Sequence, residues 1–398
     1  MKAFIYKMKG AAALAVSMSL FSTSIFAAEP LSAEAQGVQT APVVEETEEE
    51  AVSLPELTYE DALAKAKKQS PNLRDIQATA DYLQDTKEDL WDKVGYFNNV
   101  NYDYQKWVND AWWAVTYAAF STDMGIQQTS LGRKIQELAL EATVKNYFIT
   151  ILSSLDGLEL AQKNAEVQKE LYQQGQTKYS LGLLSKYNLD QLEIAAGQAQ
   201  DTVTKLEASM EQIYTQLNNL MGEKTDARFT FVYEVEYEPY VMAQTMEQYI
   251  NDKINSDLTI QLKELDVENA KFSKNYLKES SDGSEKNQNE LTYDQAKRAL
   301  KTAKEEKEVA IRNAYSQLGQ LETDYMSQQA DLTKAQADLH AAEVNYQAGN
   351  TTKITVTQAE LGVLQAENTL KQTVYQHDLA VFTFENTSLL GSSTSAGE

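Results

Sequence analysis

Apolar residues recur in alternating steps of three and four along a central part of this sequence. The series keeps one register through Leu189, Leu192, Ala196, Ala199, Val203, Leu206, Met210, Ile213, Leu217 and Leu220. A heptad pattern of this length is typical of helices that pack lengthwise as a coiled coil. Gly222 follows the series and suits the residue that ends a helix. The pattern therefore predicts a long helix packed along a partner helix.

Proline positions extend this prediction to most of the chain. The five prolines are Pro30, Pro42, Pro55, Pro71 and Pro239. Because proline is costly inside a helix, the long proline-free stretches on either side of Pro239 predict very long helices. Between them, residues 229–237 place aromatic and aliphatic side chains at every second position, which predicts a strand.

The two helical halves match each other at a constant offset of 167 residues. Tyr179 and Gly182 correspond in this way to Tyr346 and Gly349. Each half is predicted to send a long helix into a turn at Tyr-x-x-Gly and a second long helix out of it. The fold class is therefore mainly all-α, with long antiparallel helical hairpins in two tandem repeats. We expect repeats at 55–222 and 245–391, joined by a strand-containing connector at 223–244.

The ends of the chain differ from the helical part. Residues 1–28 combine Lys2, Lys7 and Lys9 with an apolar stretch and small residues at Ala27 and Ala28, as in a cleaved signal peptide. A retained membrane anchor is the alternative, although the apolar stretch is short for a span. The acidic residues 29–54 are expected to form a disordered linker, and 392–398 a disordered tail.

Charge and composition exclude several classes of function. The net charge of −24 argues against binding nucleic acid or anionic lipid. The chain has no cysteine, so disulfides, thiolate catalysis and cysteine-based zinc sites are ruled out. Its two histidines, His340 and His377, lie in helical stretches without a catalytic constellation around them. We therefore expect a protein that is not an enzyme, with no catalytic residue, metal or cofactor.

The order of these elements resembles the TolC-like outer-membrane efflux protein family, the outer membrane factors. The resemblance rests on residues 57–63 and 70–74, on their echo from Thr245, on the turn at 181–185 and on the duplication. It covers about residues 57–391. It implies a coiled-coil barrel or rod with a small equatorial strand element, assembled as a homotrimer. It also implies two partners, a membrane-fusion (adaptor) protein and an inner-membrane transporter.

The resemblance assigns two sets of candidate site residues. The turns correspond to the tips that dock the adaptor in the family, namely Tyr179, Leu181, Gly182, Leu183, Ser185, Tyr346, Gly349 and Thr352. Many members of the family carry aspartates just past these turns, where they form a gate. The matching positions here are the neutral residues Asn188, Thr355 and Gln358, with Asp190 nearby. A weaker electrostatic filter is expected.

The chain departs from the family where transmembrane strands are expected. In the second repeat that place holds the polar residues 280–289, which predict a flexible loop. In the first repeat, residues 96–120 hold nine aromatic side chains. Such residues suit a membrane or partner interface, but they equally suit packing at the end of a bundle. The candidates are Trp107, Trp112, Trp113, Tyr117 and Phe120.

Two functions follow from these observations. The first is an efflux or export conduit, a trimeric helical tunnel that docks an adaptor. The second is an exported coiled-coil scaffold of the cell envelope without a pore. The resemblance places the chain in the outer membrane and periplasm. In a cell without an outer membrane, it would lie at the outer face of the cytoplasmic membrane or in the cell wall.

Overall fold

A computed structural model of the chain describes residues 54–99, 106–276 and 283–391. The predicted signal peptide, the linker apart from residue 54, and the tail lie outside the described residues. Residues 56–391 form one compact unit. Its elements are β1 (Glu56–Thr58), α1 (Tyr59–Gln69), α2 (Pro71–Asn99), α3 (Lys106–Ser180), α4 (Lys186–Met221), β2 (Thr230–Val232), α5 (Met246–Ser256), α6 (Leu258–Tyr276), α7 (Gly283–Gln347), α8 (Lys353–Glu385) and a 3₁₀ turn (Thr387–Leu389).

Each half begins with a short capped helix followed by a one-residue break. The Thr58 hydroxyl accepts from the Asp61 N–H at the start of α1, and Thr245 forms a capping box at the start of α5. Helices α1 and α5 both have 11 residues. Ser70 then separates α1 from α2, and Asp257 separates α5 from α6. Each half therefore has a capped helix of 11 residues and a one-residue break ahead of its next helix.

The helices pair as antiparallel hairpins. Helix α3 packs along α4, and α7 packs along α8. All ten members of the apolar series 189–220 are buried or half-buried on α4. The fully buried Phe148 of α3 and Leu217 of α4 lie in the core of the first half, and Ile311 and Phe384 lie in that of the second. The prediction of a mainly helical fold built from long hairpins is confirmed.

Helix α3 also packs against α8, which joins the two hairpins. The Lys145 ammonium of α3 lies 2.7 Å from the Asp378 carboxylate of α8. The Tyr233 hydroxyl donates to the same carboxylate. Burial and this hydrogen bond raise the pKa of Tyr233 above its usual value, so its hydroxyl stays protonated. Further along, the Asn368 side chain donates to the Asp156 carbonyl at 2.8 Å.

The predicted strand is shorter than expected. Only Thr230–Val232 of residues 229–237 forms a strand, and it pairs in parallel with β1, with Leu57 opposite Phe231. The remaining aromatic residues leave the ladder and pack against helices. Tyr233 meets Phe148 of α3 with ring centroids 6.0 Å apart, and Tyr237 stacks on Tyr325 of α7 with ring centroids 3.6 Å apart. The alternation thus reflects burial of an extended segment more than strand pairing.

The predicted polar loop at 280–289 is wrong for its last seven residues. Residues 283–289 form the first two turns of α7, while 277–282 lie outside the described residues. Lys286 and Gln288 are good helix formers, and this segment contains no proline. An ion pair of 2.9 Å between Lys274 of α6 and Glu290 of α7 connects the two helices here. No helix in the described parts of the chain is both long enough and apolar enough to span a membrane.

Candidate functional site: the hairpin turns

The first turn connects α3 to α4 and is built around Gly182. This residue has φ +72°, a conformation that glycine adopts without steric cost. The Gly182 N–H donates to the Tyr179 carbonyl at 2.9 Å, and the Leu183 N–H donates to the Lys178 carbonyl at 2.8 Å. These two bonds form the Schellman arrangement that satisfies the last carbonyls of a helix. Ser185 then caps α4 by accepting from the Asn188 N–H at 3.2 Å.

The second turn connects α7 to α8 and repeats this geometry at the offset of 167 residues. Gly349 has φ +75°. Its N–H donates to the Tyr346 carbonyl at 2.9 Å, and the Asn350 N–H donates to the Asn345 carbonyl at 2.8 Å. Thr352 occupies the N-cap of α8 but makes no capping bond with its side chain. The backbone of the two turns is therefore closely matched, whereas their side chains are not.

The side chains of the first turn are apolar and project into solvent. Leu181 and Leu183 are 67% and 74% exposed, and Tyr179 is also exposed. Tyr187, which the sequence analysis did not single out, is 71% exposed. In the second turn Tyr346 is exposed, but its neighbours Gln347 to Thr351 are small or polar. A surface of this kind suits contact with another macromolecule better than chemistry on a small molecule.

The candidate gate residues lie just past the turns. Asn188, Thr355 and Gln358 are exposed and neutral. Asp190 is half-buried, and its carboxylate lies 2.5 Å from the Lys186 ammonium one helical turn earlier. A hydrogen bond from Lys186 to Asp190 and the charge of that carboxylate raise the pKa of the lysine. The single carboxylate among the candidates is therefore accompanied by a cation on its own helix.

The aromatic candidates lie near the opposite end of α3. The rings of Phe120 and Phe272 of α6 stack with centroids 3.7 Å apart. The ring of Tyr117 stacks 5.9 Å from Phe272, and its hydroxyl lies 3.1 Å from the Ser273 hydroxyl. Tyr117 and Phe120 thus pack against a neighbouring helix, as the interpretation of these residues as packing at the end of the bundle predicts. The missed member of this cluster is Phe272, one of two aromatic residues in a mostly polar helix.

Two tryptophans of the same segment contact each other. Trp112 and Trp113 are half-buried, and their rings meet edge to face with centroids 4.5 Å apart. The side chain of Trp107 lies outside the described residues. The contact between the two rings tests neither the membrane interpretation nor the partner interpretation of the tryptophans, so both stay predictions.

The histidines and carboxylates of the described residues form no metal centre. No group of three or more such side chains could hold a metal ion in this part of the chain. His340 is exposed on α7. His377 is buried on α8, where Nε2 lies 3.5 Å from the Glu322 carboxylate and the ring packs 5.1 Å from Tyr237. This arrangement packs the connector onto the second hairpin.

Known structures share this architecture. The outer membrane protein VceC of Vibrio cholerae aligns over 83% of this chain and 96% of its own, with a TM-score of 0.58 at 13% identity. The CmeC outer membrane channel of Campylobacter jejuni aligns over 91% and 96%, with a TM-score of 0.56 at 12% identity. The open MtrE outer membrane channel of Neisseria gonorrhoeae aligns over 90% and 98%, with a TM-score of 0.58 at 13% identity.

The comparisons by sequence give nothing further. No protein-family model matches the chain, and no curated protein matches it. The structural matches cover nearly the whole of each known channel. The chain therefore has the TolC-like fold, as predicted, at a sequence identity that shows the fold alone.

Proposed function

We propose that this chain is the conduit subunit of an export system in the cell envelope, acting as a homotrimer that encloses a helical tunnel. The observation that carries this proposal is the match of its fold to outer membrane channels over 83–91% of the chain. The apolar faces of two hairpins are hard to bury within one copy, and symmetric association is a common way to bury them.

The hairpin turns are the proposed docking site for a membrane-fusion adaptor, which in turn connects to an inner-membrane transporter. Two features support this assignment. Matched positive-φ glycines close both turns, and Leu181 and Leu183 expose apolar surface beside the first of them. Exposed leucines are costly to leave in water, and a partner that covers them gains roughly 25 cal/mol per Å² of buried apolar area.

The proposed organisation is a signal peptide at 1–28, an acidic linker at 29–54, repeats at 55–222 and 245–391 joined by the connector 223–244, and a tail at 392–398. The duplication is supported by the equal lengths of α1 and α5 and by the identical hydrogen bonding at Gly182 and Gly349. The signal peptide would deliver the chain to the envelope, and the fold favours the outer membrane and periplasm.

The proposed gate selects only weakly by charge. Asn188, Thr355 and Gln358 carry no charge, and Asp190 is paired with Lys186. A constriction formed by these residues would lack the uncompensated carboxylates that attract cations and repel anions.

The decisive experiment is to measure the assembly of the chain expressed from residue 29 onward. Light scattering in detergent and in plain buffer should give three times the mass of one chain. Negative-stain images should show a central cavity along the particle axis. A monomer or dimer without a cavity would contradict the conduit and favour the scaffold interpretation.

A further inference from the structure

The two hairpin turns lie at the same end of the compact unit. Contacts between α3 and α8 pair Lys145 with Asp378 and then Asp156 with Asn368. Residue numbers rise along α3 as they fall along α8, so the helices run antiparallel. The start of α8, where the second turn ends, is therefore at the end where α3 enters the first turn. A partner at this end could touch both turns.

The two turns themselves carry lysines and no carboxylate, although the chain as a whole is strongly acidic; the carboxylates nearest to them along the chain are those of Glu170, Asp190, Glu343 and Glu360. Residues 171–189 contain Lys178 and Lys186 as their only charged side chains, and residues 344–359 contain only Lys353. The net charge of the chain is −24. Lys186 is paired with Asp190. Lys178 and Lys353 are in none of the ion pairs formed between described residues. The turns therefore carry two lysines that are in no ion pair of the described residues, while the nearest carboxylates lie just beyond the two ranges.

The apolar groups of the same end complete the surface. Leu181, Leu183 and Tyr187 are each more than two-thirds exposed, and Tyr346 of the second turn is also exposed. Exposed apolar residues that are rimmed by polar or charged groups are typical of a protein-binding site. We call this set of six residues the tip surface: Lys178, Leu181, Leu183, Tyr187, Tyr346 and Lys353.

We propose that the tip surface binds a protein that presents an apolar patch bordered by aspartate or glutamate side chains. Charge complementarity at the rim orients such a partner, and burial of the leucines and tyrosines supplies affinity. The inference rests on the proposed docking function and assigns the chemistry of the docked partner. A protein fits better than an anionic membrane because lipid binding needs clusters of about four to eight basic residues.

The test uses a carbodiimide, which joins a lysine amine directly to a carboxylate in contact with it. Envelopes of cells that produce the tagged full chain are treated, and cross-linked peptides are identified by mass spectrometry. The expected result is that Lys178 and Lys353 are joined to Asp or Glu residues of one other protein. Cross-links only to carboxylates of this same chain, or none at either lysine, would overturn the proposal.

Charge variants make the test specific. Lys178→Arg keeps the charge but does not react with the reagent, so the cross-link at Lys353 should persist. Lys178→Glu should lower the yield at Lys353 about tenfold, because like charges at an interface are strongly unfavourable. Leu183→Asp should lower the same yield by a similar factor. Val241→Asp is the matched control, since Val241 is 82% exposed in the connector, and it should leave the yield unchanged. Equal yields in all four variants would overturn the proposal.

A vesicle assay separates the membrane alternative. The purified chain is floated with vesicles of phosphatidylcholine alone or mixed with phosphatidylglycerol. We expect no flotation with either, whereas flotation on the anionic vesicles that Lys178→Glu abolishes would overturn the protein partner. The failure of this inference is distinguishable from that of the proposed function. A trimer with a cavity but without the cross-links refutes only the tip chemistry, whereas a monomer refutes the conduit.

Discussion

The Lys307 ammonium lies 3.2 Å from the Asp257 carboxylate, and the two side chains are only 6% and 0% exposed. The lysine also donates to the carbonyls of Thr387 and Leu390, at 2.8 and 2.7 Å. The aspartate accepts from the Thr387 hydroxyl and from the Thr259 N–H. This buried pair therefore attaches the end of the described chain to the break between α5 and α6.

Removing one partner of this pair should strongly destabilise the fold. Lys307→Met leaves the Asp257 charge buried without its cation, which should lower the free energy of unfolding by about 3–5 kcal/mol. Urea unfolding followed by circular dichroism measures the change. The control is Lys301→Met, because Lys301 pairs with Glu305 at 3.7 Å in an exposed position, where such pairs contribute less than about 1 kcal/mol. Similar losses in both variants would contradict a special role for the buried pair.

The same pair predicts how stability depends on pH. Burial would raise the pKa of the Asp257 carboxyl, but the hydrogen bond from Thr259 and the charge of Lys307 outweigh it and lower the pKa from its usual value. The unfolded chain therefore binds this proton more readily. The stabilisation is present above the unfolded pKa and is lost as the pH falls through the folded pKa. Between about pH 5 and about pH 3, Asp257→Asn should lose less stability than the parent chain; parallel pH curves would contradict this.

The positive φ angles of the turns make a separate prediction. Gly182→Ala and Gly349→Ala should each cost about 1–2 kcal/mol, because a Cβ is unfavourable in the left-handed region. A Cβ at either position meets nothing within 4 Å, so the cost is one of backbone conformation alone. Gly197→Ala in α4 is the control, since its Cβ is also unobstructed. That change should stabilise by roughly 0.5–1 kcal/mol. Thermal or urea unfolding measures the change in stability of the three variants. The same change in all three would contradict a cost that comes from the positive φ angle.

The stacking of Phe120 on Phe272 can be measured with a double-mutant cycle. Phe120→Leu and Phe272→Leu should show a coupling energy of about 0.5–1.5 kcal/mol, as aromatic pairs do beyond their buried area. Phe120→Leu combined with Tyr82→Leu is the control, because Tyr82 is exposed on α2 and should be additive with it. A coupling near zero in both cycles would show that the ring contact contributes nothing specific.

Features that depend on local backbone chemistry could be predicted from the sequence. Gly222 ends α4 in the left-handed conformation, and the glycines of the two turns have the positive φ that their spacing implied. In each case a residue without a Cβ follows a long helical pattern. The positive φ angle is therefore predicted by a few adjacent residues, and tertiary contacts do not override that prediction.

Features that depend on distant partners could not be predicted. Strand β1 has three residues and exists because Leu57 pairs with Phe231, 174 positions later. Nothing in the sequence around Lys307 or Asp257 distinguishes them from ordinary solvent-exposed charged residues, because only the folding of the second half brings them together. The start of α7 was also missed, because a polar stretch without apolar periodicity has no helical signal beyond the propensity of its residues.

Helix α3 runs without a break from Lys106 to Ser180, and it carries both the Lys145 contact and the approach to the first turn. Each residue of a helix advances the chain by about 100° of rotation and about 1.5 Å. Inserting one residue between Lys145 and the turn would therefore rotate the rest of α3 by about 100° around the helix axis. Every apolar position beyond the insertion would then no longer face α4. Heptads added together to α3 and α4 keep the seam in register, whereas insertions of three or four residues overwind or unwind it locally. The distance from the Lys145 contact to the tip therefore changes with least disturbance in steps of roughly 10 Å, the length of one heptad.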